Sequence, residues 1–393
     1  MPAGIAPVAP SASRYPARVL RPSVADAAFD AAQFTALREA LARGDLSPER
    51  ARLTVRPAPV PADALFETAD LAVEDRARLR RRGEQAIAAG KVAALVLNGG
   101  MATRFGGVVK GVVPVVAGRP DLSFLAVKLA GLARARVPVV LMHSFATAAA
   151  TAEHLAAIDW AGVEAADRLE FSQSILPRVL PDGTPLPALL DADALADTHL
   201  YAAPGHGDTL RRVRDSGVVD ALAARGVEHV LVSNVDNLGA TLDPAVLGAH
   251  LDAVDRAAAM SVEVVLREPA DAGGCVAAVD GKPVILEAFR LPPGTDLADF
   301  PHFNTNTLWI SLAALRAPQP LTWFPVRRAL EWPDGSTRDI VQFEQLIGQL
   351  SEFVPTAYLL VDRDRFLPIK TREDLADAAP RLADLARAAG LQP

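Results

Sequence analysis

The sequence predicts an α/β protein built on a doubly wound, largely parallel sheet, preceded by a helical segment. Three observations predict it. Short apolar runs of strand length alternate with segments of helical period, the pattern of βαβ units. The first such run, VAALVLN at 92–98, closes on Gly99-Gly100, as a buried strand entering a tight turn does. The chain of 393 residues, 50% hydrophobic, can form one large domain with an appendage.

Residues 1–23 are Pro-rich and lack a continuous apolar core after a basic start. They read as a flexible arm, not a signal peptide. Residues 24–90 read mostly helical, in AAFDAAQFTALREALARG and ALFETADLAVEDRARLRRRGEQAIAAG, separated by RPAPVPAD at 56–63. Residues 91–393 form the main domain. Its further strands are expected at 138–142, 168–172, 229–234, 260–266, 303–312 and 353–361. Helices are expected at 123–136, 147–158, 209–225, 244–257 and 372–389. No internal repeat is present. In such sheets ligands bind beyond the carboxyl ends of the strands.

Composition excludes several classes. Forty Lys+Arg against 47 Asp+Glu give a net charge of -7, with no basic patch or aromatic interleaving for nucleic acid. No run of about 18 apolar residues predicts a membrane span. Cys275 stands alone, which excludes an intrachain disulfide or a cysteine-built metal site and fits a reducing, cytoplasmic setting. Lysine and asparagine are rare, five each, in a chain rich in Ala, Arg and Pro. Lys91, Lys110, Lys128, Lys282 and Lys370, and Asn98, Asn234, Asn237, Asn304 and Asn306, therefore mark positions to inspect.

Six segments carry chemistry. LNGGMATRFGG (97–107) offers glycine-flanked backbone N–H groups to phosphate oxygens, with Arg104 and Lys110 to neutralise charge. It lacks both the GK[ST] ending and GxGxxG, so an ordinary βα turn is the bland alternative. In FSQSILPR (171–178), Gln173 can pair with the edge of a planar base or satisfy a turn. In APGHGDTL (203–210), Gly205 and Gly207 flank His206 ahead of a helix whose N-terminus can host an anion, or which Asp208 simply caps. VLVSNVDNLGATLDP (230–244) brings Asn234, Asp236 and Asn237 to a strand end. A single carboxylate there suits Mg²⁺ when a nucleotide supplies further oxygens, and otherwise caps a turn. In HFNTNTLW (302–309), strand alternation would put Asn304 and Asn306 on one face, for hydroxyl recognition or as an Asn-rich turn. RFLPIKTREDL (365–375) places Lys370 before a helix capped by Thr371; the alternative is a solvated lysine. Lys91, Lys128 and Lys282 read as solvated surface.

Taken in order, these segments resemble the UTP–glucose-1-phosphate uridylyltransferase family, whose segments LNGGxGTxMG with a following lysine, FxQS/PR, PGHGD, VSNxDNLGATxD, FNTNNLW and RFLPVKT they match over about 95 to 375. The resemblance implies a GT-A-like nucleotidyltransferase fold, a mixed, mostly parallel sheet with helices on both faces. It also implies the roles. Arg104, Lys110 and Lys370 would be catalytic, and Asp236 would hold Mg²⁺. Asn98, Gly99, Gly100, Gln173, Gly205, His206, Asn234, Asn304 and Asn306 would bind substrate, Gln173 and Gly205 reading the uracil. The substrates would be UTP and a sugar 1-phosphate, glucose 1-phosphate first, with no nucleic-acid or membrane partner.

Departures from the pattern are Ala102 and Arg104 in the first loop, VKG around Lys110, and FNTNT for FNTNN. The sequence runs 23 residues past Lys370, so no C-terminal β-helix is expected within it. The alternatives are the same chemistry on another acceptor, such as an N-acetylhexosamine or galactose 1-phosphate or a non-sugar phosphate or phosphonate, and a catalytically silent nucleotide-binding protein.

Overall fold

The structure is a computed structural model; it describes residues 20–102, 107–189, 191–271 and 273–392. The seven expected strands join one sheet, together with Phe66–Glu67 and Cys275–Val279, which were not expected as strands. In chain order they are β1 (Phe66–Glu67), β2 (Val92–Leu97), β3 (Val139–His143), β4 (Arg168–Ser172), β5 (His229–Asn234), β6 (Met260–Leu266), β7 (Cys275–Val279) and β8 (His302–Ser311). β9 (Phe324–Glu331) and β10 (Thr337–Glu344) form a separate antiparallel ribbon, and β11 (Thr356–Leu360) returns to the main sheet. The main order is β1-β11-β6-β8-β5-β2-β3-β4, and only β8 runs against its neighbours. The sheet is thus mixed and mostly parallel. β2 is buried along its whole length, which is why its sequence is a continuous apolar run and not an alternation.

Among the described residues, the helices of six or more residues are α1 (Ala31–Ala42), α2 (Val73–Ala88), α3 (Phe124–Ala135), α4 (Ala148–Ala157), α5 (Thr209–Asp215), α6 (Val218–Ala224), α7 (Pro244–Asp255), α8 (Arg372–Asp377) and α9 (Ala379–Ala388). Caps set their starts. The Ser123 hydroxyl accepts from the Ala126 N–H, the Asp243 carboxylate accepts from the Ala245 and Val246 N–H groups ahead of Pro244, and Thr371 and Asp374 form a capping box. Two helices expected as single units are broken. Gly217, in the left-handed conformation, separates α5 from α6, and Pro380 at the start of α9 ends α8. Among the described residues no helix is long and apolar enough to cross a membrane.

The region 24–90 contains α1 and α2, but the helical reading of 64–72 does not hold. Phe66–Glu67 pairs in parallel with β11, and Ala58–Pro59 pairs with β7. Strand pairing wins there over helical spacing because Leu65 and Phe66 gain apolar partners at the sheet edge. A second correction concerns β8. Its pairing with β6 shifts register between Glu263 and Val264, opposite Thr307 and Asn304, so Thr305 and Asn306 form a bulge with Asn306 at φ 56°. The unbroken alternation expected for Asn304 and Asn306 is absent.

α2 lies against α7 at glycine-permitted distance: a Cβ on Gly83 would overlap the Pro244 carbonyl oxygen, and one on Gly248 the Leu79 carbonyl oxygen. Gly248→Ala is therefore expected to lower stability by about 1–3 kcal/mol through overpacking. Urea unfolding measures it, and an unchanged midpoint would contradict the close crossing.

Candidate active site

A cavity of about 490 Å³ opens beyond the carboxyl ends of β2, β3 and β5, where the chain crosses from one half of the sheet to the other. Gly99, Gly100, Lys110, Gln173, Gly205, His206, Asn234 and Asp236 all line it. Four of the six segments read from sequence thus line one space.

One wall is built to present a planar edge. The Gln173 N–H donates to the His143 carbonyl at 2.8 Å, and its Nε2 donates to the Gly205 carbonyl at 2.6 Å. Its Oε1 packs so tightly on Gly99 that any Cβ there would overlap it. Gly205 has φ 76°, and a Cβ would lie 2.7 Å from the Gln345 carbonyl oxygen, so two independent constraints require glycine. The Asp208 carboxylate does not cap α5. It is fully buried and accepts from the Ser174 N–H at 2.6 Å and the Ser174 hydroxyl at 3.1 Å, locking the Gln173 loop to the Gly205 loop.

His206 Nδ1 accepts the Ile347 N–H at 2.9 Å, which assigns the ring proton to Nε2. Burial pushes its pKa down from 6.5 to about 4. Arg178, Ser144, Tyr201 and Gln342 also line the cavity, and none had been assigned a role from sequence. The Arg178 Nη1 donates to the Thr198 and His199 carbonyls at 2.9 and 3.0 Å. A signal for Gln342 was available: Asp334-Gly335 between two strand-like runs marks the ribbon that carries it.

The other wall is charged. Lys110 Nζ lies 2.5 Å from Asp236 Oδ2, with 14% and 19% of the two side chains exposed. The Ile369 N–H donates to the Asp236 carbonyl at 3.3 Å, and the Asn237 side chain donates to the Arg365 carbonyl and accepts the Leu367 N–H. These bonds bring the 365–370 segment beside Asp236. The Lys370 side chain itself is exposed and does not line the cavity; its backbone N–H donates to Asp374 at 2.7 Å.

Three expected substrate contacts are not made by the cavity wall. Asn98 is fully buried under the loop, where its Nδ2 donates to Thr151 at 3.0 Å, so α4 takes the amide. The bulge turns Asn306 to donate to Asn234 Oδ1 at 3.0 Å, and its N–H donates to Asn304 Oδ1 at 3.0 Å. Asn304 thus braces the bulge, and neither residue borders the cavity. Arg104, with the rest of 103–106, lies outside the described residues. Lys128, expected on the surface, is only 8% exposed; its Nζ donates to the Asn237 carbonyl at 2.7 Å.

No group of three or more His, Cys, Asp or Glu side chains able to hold a metal occurs among the described residues. Asp236 suits a hard cation only when a ligand brings most of the oxygens, as Mg²⁺ on a polyphosphate does.

The depressed value of His206 has a sign. Its neutral form is the folded-state form, so its contribution to stability is complete above pH 6.5 and is lost as pH falls from there through about 4. Proton-coupled NMR of the ring should show Nε2–H and no protonation until near pH 4; titration at the ordinary 6.5 would contradict the buried geometry.

The family model for UTP–glucose-1-phosphate uridylyltransferase matches residues 51–388. A probable UTP–glucose-1-phosphate uridylyltransferase of Schizosaccharomyces pombe is 34% identical over 301 residues, 72% of this chain and 58% of the relative. The Saccharomyces cerevisiae enzyme is 34% identical over 304 residues, with the same coverage. The chain thus matches a little over half the length of these relatives. Among solved structures, a mutant UDP-glucose pyrophosphorylase from Leishmania major is 28% identical with a TM-score of 0.67, covering 88% of this chain and 74% of that one. UDP-glucose phosphorylase from Trypanosoma brucei is 26% identical with a TM-score of 0.70, covering 88% and 73%. With the sequence and the fold in agreement, the chain belongs to the UTP–glucose-1-phosphate uridylyltransferase family, and its α/β architecture is the nucleotidyltransferase fold.

Proposed function

We propose that this chain transfers a uridylyl group from UTP to a sugar 1-phosphate, glucose 1-phosphate first, releasing pyrophosphate. The observation that carries the reading is the single cavity between the Gln173–Gly205 wall and the Lys110–Asp236 pair. The first matches the donor and acceptor edge of uracil, and the second matches a polyphosphate with its cation. A solved relative, another mutant form of the Leishmania major UDP-glucose pyrophosphorylase, 26% identical with a TM-score of 0.67, is in complex with UDP-glucose.

The chemistry follows from these groups. An oxygen of the sugar phosphate attacks the α-phosphorus, the new P–O bond forms in line, and the bond to the β-phosphate oxygen breaks. The nucleophile is anionic at neutral pH, so no general base is required, and none of the lining residues is an activated Ser or Cys. Positioning and charge neutralisation then do the catalytic work. Asp236 would hold Mg²⁺ carried by the nucleotide, and that ion would supply charge neutralisation at the phosphates. Lys110 leaves its pairing with Asp236 to meet the triphosphate. The exposed Lys370 side chain, at the end of the anchored 365–370 segment, would swing its ammonium over the transferring group, and Arg104 would add a further cation. His206, neutral and donating from Nε2, faces the phosphate as a hydrogen-bond donor. Asn304 and Asn306 reach a sugar only after the bulge rearranges. A buried Cys275 suits a reducing compartment such as the cytoplasm.

The test is pyrophosphate release from UTP across a panel of acceptors: glucose, galactose and N-acetylglucosamine 1-phosphates and a phosphonate. Release with glucose 1-phosphate supports the reading. Release with another acceptor alone moves the assignment to it, and UTP binding without release supports a silent nucleotide-binding protein. Asp236→Asn should lower turnover by about a hundredfold or more, and Lys370→Ala comparably. Gly99→Ala should weaken UTP binding by at least about tenfold, because its methyl displaces the Gln173 carboxamide. Near wild-type turnover with an intact fold would remove each residue from its role.

A further inference from the structure

A second cavity, of about 340 Å³, lies on the other side of the Asp236 turn. Its floor is the sheet face at Ala94 and Val96 of β2 and Leu231 and Ser233 of β5. Its walls are α3 and α9. The lining is apolar except for Ser233, Thr241 and Lys128. Lys128 and Gly131 stand three residues apart on one face of α3, so they occupy the same wall at different depths. Gly131 and Ala388 are exposed and mark the mouth; Lys128 lies within.

The Lys128 ammonium has an unusual balance of partners. It donates to the Asn237 carbonyl at 2.7 Å and the Ala240 carbonyl at 3.4 Å. Among the described residues no carboxylate lies within 4.0 Å of it. The carboxylates that act on it from a distance are engaged elsewhere. Asp236 pairs with Lys110, and Glu263 accepts from Arg365 at 2.7 and 2.8 Å and from Trp309 at 2.9 Å. Burial without a counter-ion pushes its pKa down to about 7. A buried ammonium held only by carbonyl dipoles retains a large uncompensated desolvation cost. The third N–H remains for a ligand, and the volume falls in the about 300–1,000 Å³ range of small-molecule pockets.

We propose that this cavity is a second ligand site, for a small carboxylate bearing a short aliphatic tail, with the carboxylate on Lys128 and the tail along the β2, α3 and α9 side chains. Charge decides the head group, because among the described residues the lining includes one lysine and no acid. Lining decides the tail, because the remaining wall is almost wholly aliphatic. The site does not depend on the nucleotide reading. It touches the reaction site only through the backbone of the 237–240 turn, so occupancy would bias the placement of Asp236.

The test uses calorimetric titration of the full chain with butanoate, hexanoate and octanoate, and with octan-1-ol as the uncharged match. Affinity should rise roughly threefold to fourfold per methylene as the tail fills the cavity. Octan-1-ol should bind at least about tenfold more weakly than octanoate. Lys128→Met should abolish that preference while leaving octan-1-ol binding in place. Gly131→Leu, where a Cβ meets nothing within 4 Å, should block the mouth and weaken both ligands. Because Gly131 is exposed on a helix, this variant remains a test if Lys128→Met fails to fold. Absence of octanoate binding, equal binding of the alcohol, indifference to Gly131→Leu, or competitive displacement by UTP would each overturn the proposal.

Discussion

The turn that follows β5 is the constraint on which the rest of the molecule depends. Within four residues, Asn234, Asp236 and Asn237 face three different demands. Asn234 meets the bulge of β8, Asp236 faces the cavity, and Asn237 points back into the fold to hold the 365–368 segment. Below the turn, Lys128 fixes its carbonyls, and Arg365 anchors the far strap to the buried Glu263. Every bond in this set is buried or nearly so, and each leaves a costly orphan if its partner is removed. The position of one carboxylate at the cavity is therefore determined by groups on β5, β6, α3 and the 365–370 segment together.

The same wiring explains how opposite charges share a small space. The pairing of Lys110 with Asp236 gives each charge a partner of opposite sign. On the proposed function, a polyphosphate with its cation would offer each a partner of opposite sign, so ligand entry would exchange one compensated arrangement for another. The glycines serve the opposite wall in a complementary way. Gly99 and Gly205 admit the Gln173 carboxamide and the Gln345 backbone to distances that any side chain would forbid. Rigid recognition on one side and exchangeable ion pairing on the other would suit the nucleotidyl transfer proposed above.

Much of this was legible in the sequence, for physical reasons. Continuous apolar runs ending in Gly or Asn mark buried parallel strands and the loops at their carboxyl ends, so the location of the site followed from patterning. Four of the six segments supply residues to the cavity wall, and Ser144, Tyr201 and Gln342 come from outside them. The misreadings are as informative. Lys128 sits inside FLAVKLAGLARA, apolar on nearly every face, and that context marks a buried lysine better than a solvated one. Asn98 and Asn237 stood out in the sequence, and the structure gives both side chains buried partners, Thr151 for Asn98 and the 365–367 backbone for Asn237. The β8 bulge left no trace in spacing, because register is a property of the pair and not of one strand. The hairpin ending β7 did leave one, in Asp280-Gly281.

The central claim is that one cavity receives the nucleotide by exchanging the Lys110–Asp236 pair for contacts to phosphate and its cation. A crystal structure of the chain soaked with UTP and Mg²⁺ tests it most directly. The expected result has the uracil edge on Gln173 and Gly205, Asp236 on the metal, and Lys110 on the triphosphate. A nucleotide bound elsewhere, or bound here with the Lys110–Asp236 pair unbroken and no metal at Asp236, would contradict the account.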